Sequence, residues 1–228
     1  ACRISTQHMT PVILLSDGYI ANGAEPWRFP QTADLPEVPV RFKKELDEGE
    51  EKFQPYTRDE RLVRPWVVPG TAALEHRIGG IEKQNITGNV SYDPENHQLM
   101  VKIREEKVEK IADDIPEQQL DSGPEKGKLL VLGWGSTYGV IKSAVAELQA
   151  KGYKVSHAQI RYLRPFPKNL GDIIQNFEQV LIPEINNGQL IKIIRDRYFV
   201  DAKGYNKIMG IPITKGELTE VMKKMLVQ

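Results

Sequence analysis

The sequence has 228 residues, and its 31 Lys and Arg balance 31 Asp and Glu for a formal net charge of +0. That length suits one large domain or one domain with an appendage, and the charge balance gives no basic excess to point to nucleic acid and no acidic tail. The single cysteine, Cys2, excludes an intrachain disulfide, a thiolate zinc site or an iron–sulfur cluster held by this chain alone, and it fits a reducing, cytoplasmic compartment. No apolar run approaches the roughly 18 residues of a membrane span, and Ala1–Thr6 has no signal-peptide core.

In chain order, Cys2 to Met9 reads as the tail of a helix. Pro11-Val12-Ile13-Leu14-Leu15-Ser16 is a short continuous apolar run, the pattern of a strand covered on both faces. Asp17-Gly18 marks a turn at its end, so the chain is expected to begin in mid-domain. From Arg28 to about Pro69 prolines recur around a charged run, Lys43 to Lys52. That composition predicts an extended arm, because proline disfavours both helix and central strand. Asp93-Pro94-Glu95 is a helix start with Asp as N-cap and Pro at the first position. Leu99, Met100, Ile103 and Ile111 continue it at helical spacing to about Asp113.

Beyond Ser122-Gly123-Pro124 strands and helices alternate. Strands are predicted at Lys128–Trp134, Lys154–Ile160 and Gln179–Ile182, with a short one at Tyr198-Phe199-Val200. Helices are predicted at Ser136–Lys151, Asn169–Phe177, Gly188–Arg195 and Glu217–Leu226. The alternation specifies an α/β fold, a mostly parallel sheet with helices on both faces in three layers. The strands around Leu130, Val155 and Leu181 are expected to be adjacent or nearly so.

Four segments carry side chains or backbone that could act on a ligand. Gly133-Trp134-Gly135-Ser136-Thr137-Tyr138-Gly139 joins a strand to a helix, the place where glycines let a backbone approach a phosphate. Its spacing departs from the dinucleotide pattern, and His157 and Gln159 stand where a ribose-binding acid is wanted. The alternative is a tight turn capped by Ser136 or Thr137. Glu184 follows a strand, either as a functional carboxylate or as a cap. Asp17 and Gly18 stand at a strand end, at an active-site edge or in a plain turn. His76 and Arg77, in Leu74-Glu75-His76-Arg77-Ile78-Gly79-Gly80, could meet an anionic substrate, Arg by a bidentate pair and His by proton transfer. They could equally form a solvated loop. No residue set has the pattern of a metal site.

Several strings resemble the alpha subunits of 2-oxoglutarate:ferredoxin oxidoreductases, members of the 2-oxoacid:acceptor oxidoreductase family. They are Met9–Tyr19 with Ala21–Trp27, Arg64-Pro65-Trp66 with Leu74–Gly80, Thr87–Pro94, Leu132–Gly139, and Arg161–Leu163 with Pro167–Leu170. The resemblance implies residues 1–28 as the end of a thiamine-binding pyrimidine domain, 29–85 as an interdomain arm, and 86–228 as a domain resembling the transketolase C-terminal domain. It implies an intact complex that oxidatively decarboxylates 2-oxoglutarate to succinyl-CoA and passes electrons to ferredoxin. That complex would use thiamine diphosphate, an iron–sulfur cluster and coenzyme A, with a beta subunit as partner.

This chain by itself is expected to bind none of these cofactors and to be an inactive, structural part. The exposed Val12–Leu15 run makes self-association an expectation, with no nucleic acid or membrane partner. A pyruvate or branched-chain 2-oxoacid enzyme fits the same strings. A reading from another class is a nucleotide-binding or interaction module that uses the Gly133–Gly139 turn.

Overall fold

The computed structural model describes residues 1–227. In chain order the elements are helices α1 (Cys2–Gln7), α2 (Gly18–Asn22) and α3 (Pro94–Lys110), then strand β1 (Gly127–Trp134), α4 (Tyr138–Ala150), β2 (Val155–Ile160), α5 (Leu170–Gln175), β3 (Phe177–Glu184), α6 (Gln189–Tyr198), β4 (Lys203–Asn206) and α7 (Lys215–Val227). The chain divides into two units. The first comprises residues 1–14 and 26–114, the second residues 15–25 and 115–228. By its contacts helix α3 groups with the proline-rich segment.

In the first unit most of the backbone between residues 26 and 93 is irregular, as the prolines require. Isolated bridges tie it down at Phe42–Trp66, Tyr56–Ile86 and Lys83–Val90. Phe53, Val63, Leu74, Met100 and Ile111 are its buried apolar residues. Asp93 caps α3 by accepting from Glu95 N at 3.0 Å, with Pro94 at the first position. Asn96, on the first turn of α3, is buried; its Nδ2 donates to Lys83 O and its Oδ1 accepts from Asn85 N, both at 2.9 Å. A buried amide satisfied on both ends fixes the 83–85 loop against the helix. The segment before α2 is anchored by Trp66 Nε1 donating to Thr6 O at 2.8 Å and by Lys107 Nζ donating to Met9 O at 2.9 Å.

In the second unit four parallel strands lie in the order β2-β1-β3-β4. Leu130 stands opposite Ser156 on one side and Val180 on the other. Side chains alternate along β1. Leu129 and Val131 enter a core with Ile141, Ala144, Val145 and Leu148 of α4 and Leu218 and Met222 of α7. Leu130 and Leu132 enter the other, with Leu170 and Ile174 of α5 and Leu190 and Ile194 of α6. Two helices thus cover each face, and a strand buried on both sides, as β1 is from Leu129 to Leu132, is apolar at successive positions. This is the three-layer α/β sheet that the alternation predicts, with the strands at Leu130, Val155 and Leu181 adjacent.

The outer edge of β2 is covered by residues 121–122. Asp121 N donates to His157 O at 2.8 Å, and His157 N donates to Ser122 O at 3.0 Å. A covered edge offers no row of unpaired donors to another chain. Gly123 is required beside it: its φ is +95°, and a Cβ there would stand 2.5 Å from Ser156 Oγ.

Three local expectations are corrected. Pro11–Ser16 is not a strand: no element of the described residues pairs with it, and Ile13 and Leu14 are 83% and 84% exposed. An apolar run becomes a strand only where a neighbour supplies hydrogen bonds. Asp17-Gly18 is not a simple turn but the start of α2, with Asp17 as N-cap. Tyr198-Phe199-Val200 is not a strand. Tyr198 ends α6, Phe199 caps it in the left-handed region at φ +51°, and the last strand comes later, at Lys203–Asn206. β3 also starts earlier than expected, at Phe177. Among the described residues no helix is long and apolar enough to cross a membrane.

Candidate functional site

The strand order locates the first candidate. From β1 the chain passes to β2 on one side, while β3 lies on the other side of β1. The carboxyl ends of β1 and β3 therefore flank a topological switch point, where open α/β sheets place ligands. Both Gly133–Gly139 and Glu184 end strands there.

The turn after β1 is built by Thr137. Its Oγ1 donates to Trp134 O at 2.7 Å and accepts from Trp134 N at 3.3 Å, which is the capped strand-to-helix turn of the simpler sequence reading. Gly133 is a packing requirement, since a Cβ would stand 2.5 Å from both Gln159 Oε1 and Ile141 Cδ1. Asp17 reaches this turn. Its Oδ2 accepts from Ser136 N at 3.1 Å, while its Oδ1 accepts from Tyr19 N and Ile20 N at 3.1 and 3.0 Å. Partial burial pushes this carboxyl up, but hydrogen bonds from Ser136, Ile20 and Tyr19 outweigh it and hold the pKa below the ordinary value. Gly18 opens α2 with open space around it.

Glu184 is fully buried at the end of β3. Its Oε1 accepts from Leu190 N at 2.9 Å and its Oε2 from Ile191 N at 3.2 Å. The N-terminus of α6, a place that attracts anions, is thus filled by a carboxylate of the chain itself. Asp17 does the same for the turn after β1. Where a phosphate would bind such a sheet, this one presents donors already satisfied, which disfavours the nucleotide-binding module.

His157 lies on β2, fully buried, with no hydrogen-bond partner of good geometry on either ring nitrogen. Burial pushes its pKa down, against the pull of Asp121 and Gln159 upward. A buried imidazole in this state is held neutral.

His76 and Arg77 lie in the other unit. His76 Nδ1 is 2.8 Å from Leu74 O. A carbonyl can only accept, so Nδ1 carries a proton and donates it. The ring stands edge-on to Phe53, with centroids 5.2 Å apart. Arg77 has an exposed side chain, and its carbonyl accepts from Lys83 Nζ at 3.1 Å.

Lys83 leads to a feature that the sequence reading missed. It lines a cavity of about 210 Å³ within the first unit, together with Arg58, Arg64, Arg104, Lys107 and the lone carboxylate Glu82. Arg58 Nη1 donates to Tyr56 O at 2.9 Å and to Asn85 Oδ1 at 2.6 Å. The Arg64 guanidinium stacks on the Tyr56 ring at 4.2 Å. Burial and the neighbouring Arg64, Arg58 and Arg104 push the Lys107 ammonium below its ordinary pKa. Burial and Arg64 do the same to Arg58. A cluster assembled from scattered positions leaves no motif; alternate charges along the sequence hide it.

The comparisons with known proteins agree with the geometry of the sheet. The family model for the pyruvate:ferredoxin oxidoreductase core domain II matches residues 127–218. The matched stretch spans β1 to the start of α7 and so contains the four strands of the sheet. Over 227 residues the chain is 44% identical to the 2-oxoglutarate oxidoreductase subunit KorA of Mycobacterium tuberculosis, covering 99% of this chain and 34% of that protein. It is 28% identical to the 2-oxoacid:ferredoxin oxidoreductase 2 subunit alpha of Aeropyrum pernix, covering 96% and 34%. A solved 2-oxoglutarate:ferredoxin oxidoreductase from Magnetococcus marinus, with 2-oxoglutarate, coenzyme A and succinyl-CoA bound, superposes with a TM-score of 0.77 at 26% identity, over 86% of this chain and 34% of that one. The chain therefore spans about a third of the length of the relatives it matches. The strings on which the resemblance rests fall in both units, so the likeness extends beyond the core domain.

Proposed function

We propose that this chain is part of the alpha subunit of a 2-oxoglutarate:ferredoxin oxidoreductase. The complex would decarboxylate 2-oxoglutarate oxidatively to succinyl-CoA, pass electrons to ferredoxin, and work in the cytoplasm with a beta subunit. The observation that carries the reading is 44% identity to a 2-oxoglutarate oxidoreductase subunit over nearly the whole chain.

The domain roles follow the same resemblance: residues 1–28 as the end of a pyrimidine domain, 29–85 as an arm, 86–228 as a transketolase-C-terminal-like domain. The residues present do not fit an iron–sulfur cluster, and the switch point of the sheet does not fit thiamine diphosphate. One cysteine cannot hold an iron–sulfur cluster. Nor is there a free helix N-terminus at the switch point for the diphosphate of thiamine diphosphate, since Asp17 and Glu184 occupy the donors there. The share of this chain in the reaction is support. A sheet closed by its own carboxylates is a rigid base on which other parts of the subunit can be held. His76 and Arg77 are its candidates for contact with substrate: His76 offers its imidazole, and Arg77 an exposed guanidinium suited to a second carboxylate.

Turnover by the intact complex, with pyruvate, a branched-chain 2-oxoacid and 2-oxoglutarate compared, tests the assignment. Preference for 2-oxoglutarate supports it; preference for another acid moves the chain to the runner-up. The chain alone should not reduce methyl viologen with any 2-oxoacid, and such reduction would overturn the supporting role.

A further inference from the structure

The cavity of the first unit carries an unbalanced charge. Five cations and one carboxylate line it, although the chain as a whole is neutral. Glu82 is already engaged, by His97 and by Arg104 at 3.6 Å. Arg58, Arg64 and Lys107 have, among the described residues, no carboxylate within ion-pair distance. Their partners are carbonyls, an amide oxygen, a thioether and a ring. Such dipoles orient the donors but leave the charge uncompensated. Crowded like charges in a partly desolvated space repel one another and contribute nothing to folding.

We propose that this cavity is a binding site for a phosphate group, carried as a diphosphate. Two guanidinium groups, of Arg58 and Arg64, and the Lys107 ammonium line it from separate stretches, together with a third guanidinium, Arg104. That donor set matches a ligand with at least two negative charges and several acceptor oxygens; a single carboxylate offers one charge and two oxygens. The cations are held before any ligand arrives. Arg58 is pinned by Tyr56 O and Asn85 Oδ1, and Lys107 by Met9 O. Arg64 lies against Tyr56 and keeps its in-plane N–H edge for an oxyanion. Preorganisation of this kind lowers the entropic cost of binding. The volume admits a diphosphate, and the site lies wholly within one unit. It is independent of the family reading above.

Inorganic pyrophosphate and a nucleoside diphosphate present the same group, so calorimetry on the full chain should compare pyrophosphate, ADP and inorganic phosphate. Saturable binding of pyrophosphate that weakens as salt rises is expected. The double variant Arg64→Gln, Lys107→Gln should weaken it by roughly tenfold or more, from the loss of two charge-assisted contacts. ADP binding more tightly than pyrophosphate would identify a nucleotide as the ligand; equal binding would identify the diphosphate alone. If Lys107→Gln disturbs the fold by releasing Met9 O, Arg64→Gln alone carries the test, and its unliganded Tm should hold or rise because repulsion is relieved. No saturable binding of any of the three anions, or binding unchanged in the variants, overturns the proposal.

Discussion

Asp17 accepts a hydrogen bond from the backbone N–H of Ser136, 119 positions away in the chain, at 3.1 Å. The same carboxylate caps α2 through Tyr19 N and Ile20 N. One side chain therefore both starts a short helix and fastens it to the turn after β1. A five-residue helix is not stable alone, so α2 depends on this contact.

Replacing the carboxylate should loosen both ends at once. Asp17→Ala is expected to cost about 1–2 kcal/mol, the range for a lost N-cap and a charge-assisted bond on a half-exposed group. Hydrogen exchange should speed up at Tyr19, Ile20 and Ser136 together, and Asp17→Asn should restore part of the protection. Unchanged exchange at Ser136 would mean that the contact is not made in solution.

Glu184 is the more sensitive of the two carboxylates because it is fully buried. Glu184→Ala leaves the N–H groups of Leu190 and Ile191 without their acceptor. Each buried unsatisfied donor costs about 1–3 kcal/mol, so urea denaturation should show a larger loss than for Asp17→Ala. A loss no greater than that of Asp17→Ala would argue that water replaces the carboxylate.

Helix α7 has an acid-sensitive start. Glu217 accepts from Thr214 N at 2.7 Å and from Lys207 Nζ at 2.9 Å, while Glu217 N donates to Thr214 Oγ1 at 3.3 Å, a reciprocal capping box. The Thr214 backbone bond first, then Lys207, lowers its pKa from the ordinary 4.5 to about 2. A depressed folded-state value means that its contribution is present above pH 4.5 and lost as pH falls toward 2. The thermal midpoint should therefore decline across that window, and less steeply in Glu217→Gln. Parallel declines in the two proteins would remove Glu217 from the account.

Arg77→Ala in the intact complex should weaken 2-oxoglutarate more than pyruvate, by about 1.5–3 kcal/mol for a lost bidentate carboxylate partner. Steady-state kcat/KM with both acids measures it. Equal kinetics of mutant and wild type would take the loop out of the active site.

Val12–Leu15 leaves an apolar run exposed, with Leu15 still 62% accessible. Covering four such side chains contributes about 6 kcal/mol before ordering costs, at about 1.5 kcal/mol each. Light scattering should show concentration-dependent association that a chain lacking residues 1–28 does not. A monomer at all concentrations would contradict this.

Much of the fold was legible because its causes are local. The apolar run Lys128–Trp134, the helical spacing of Ala144, Val145 and Leu148, and the cap at Asp93 each act within a few residues. Together they determined the alternation of strands and helices, and with it a parallel sheet covered on both faces. The capping alternative for the Gly133–Gly139 turn was also readable, since Thr137 bonds to Trp134 only three positions away. Tyr198-Phe199-Val200 misled because aromatic and β-branched residues favour strands on average, while here α6 runs through Tyr198 and Phe199 ends it.

Tertiary structure decided everything that needed distant partners. Pro11–Ser16 has strand composition, yet composition supplies no neighbour to bond with. Asp17 and Glu184 read equally as functional carboxylates or caps until the backbone N–H groups they accept from were in place. Arg58, Arg64, Arg104 and Lys107 are scattered over about fifty positions among acids that balance them in the chain. Folding draws those cations around one cavity and turns most of the acids elsewhere. Net charge is a sum over the sequence, but a field depends on distance, and only the folded chain sets the distances.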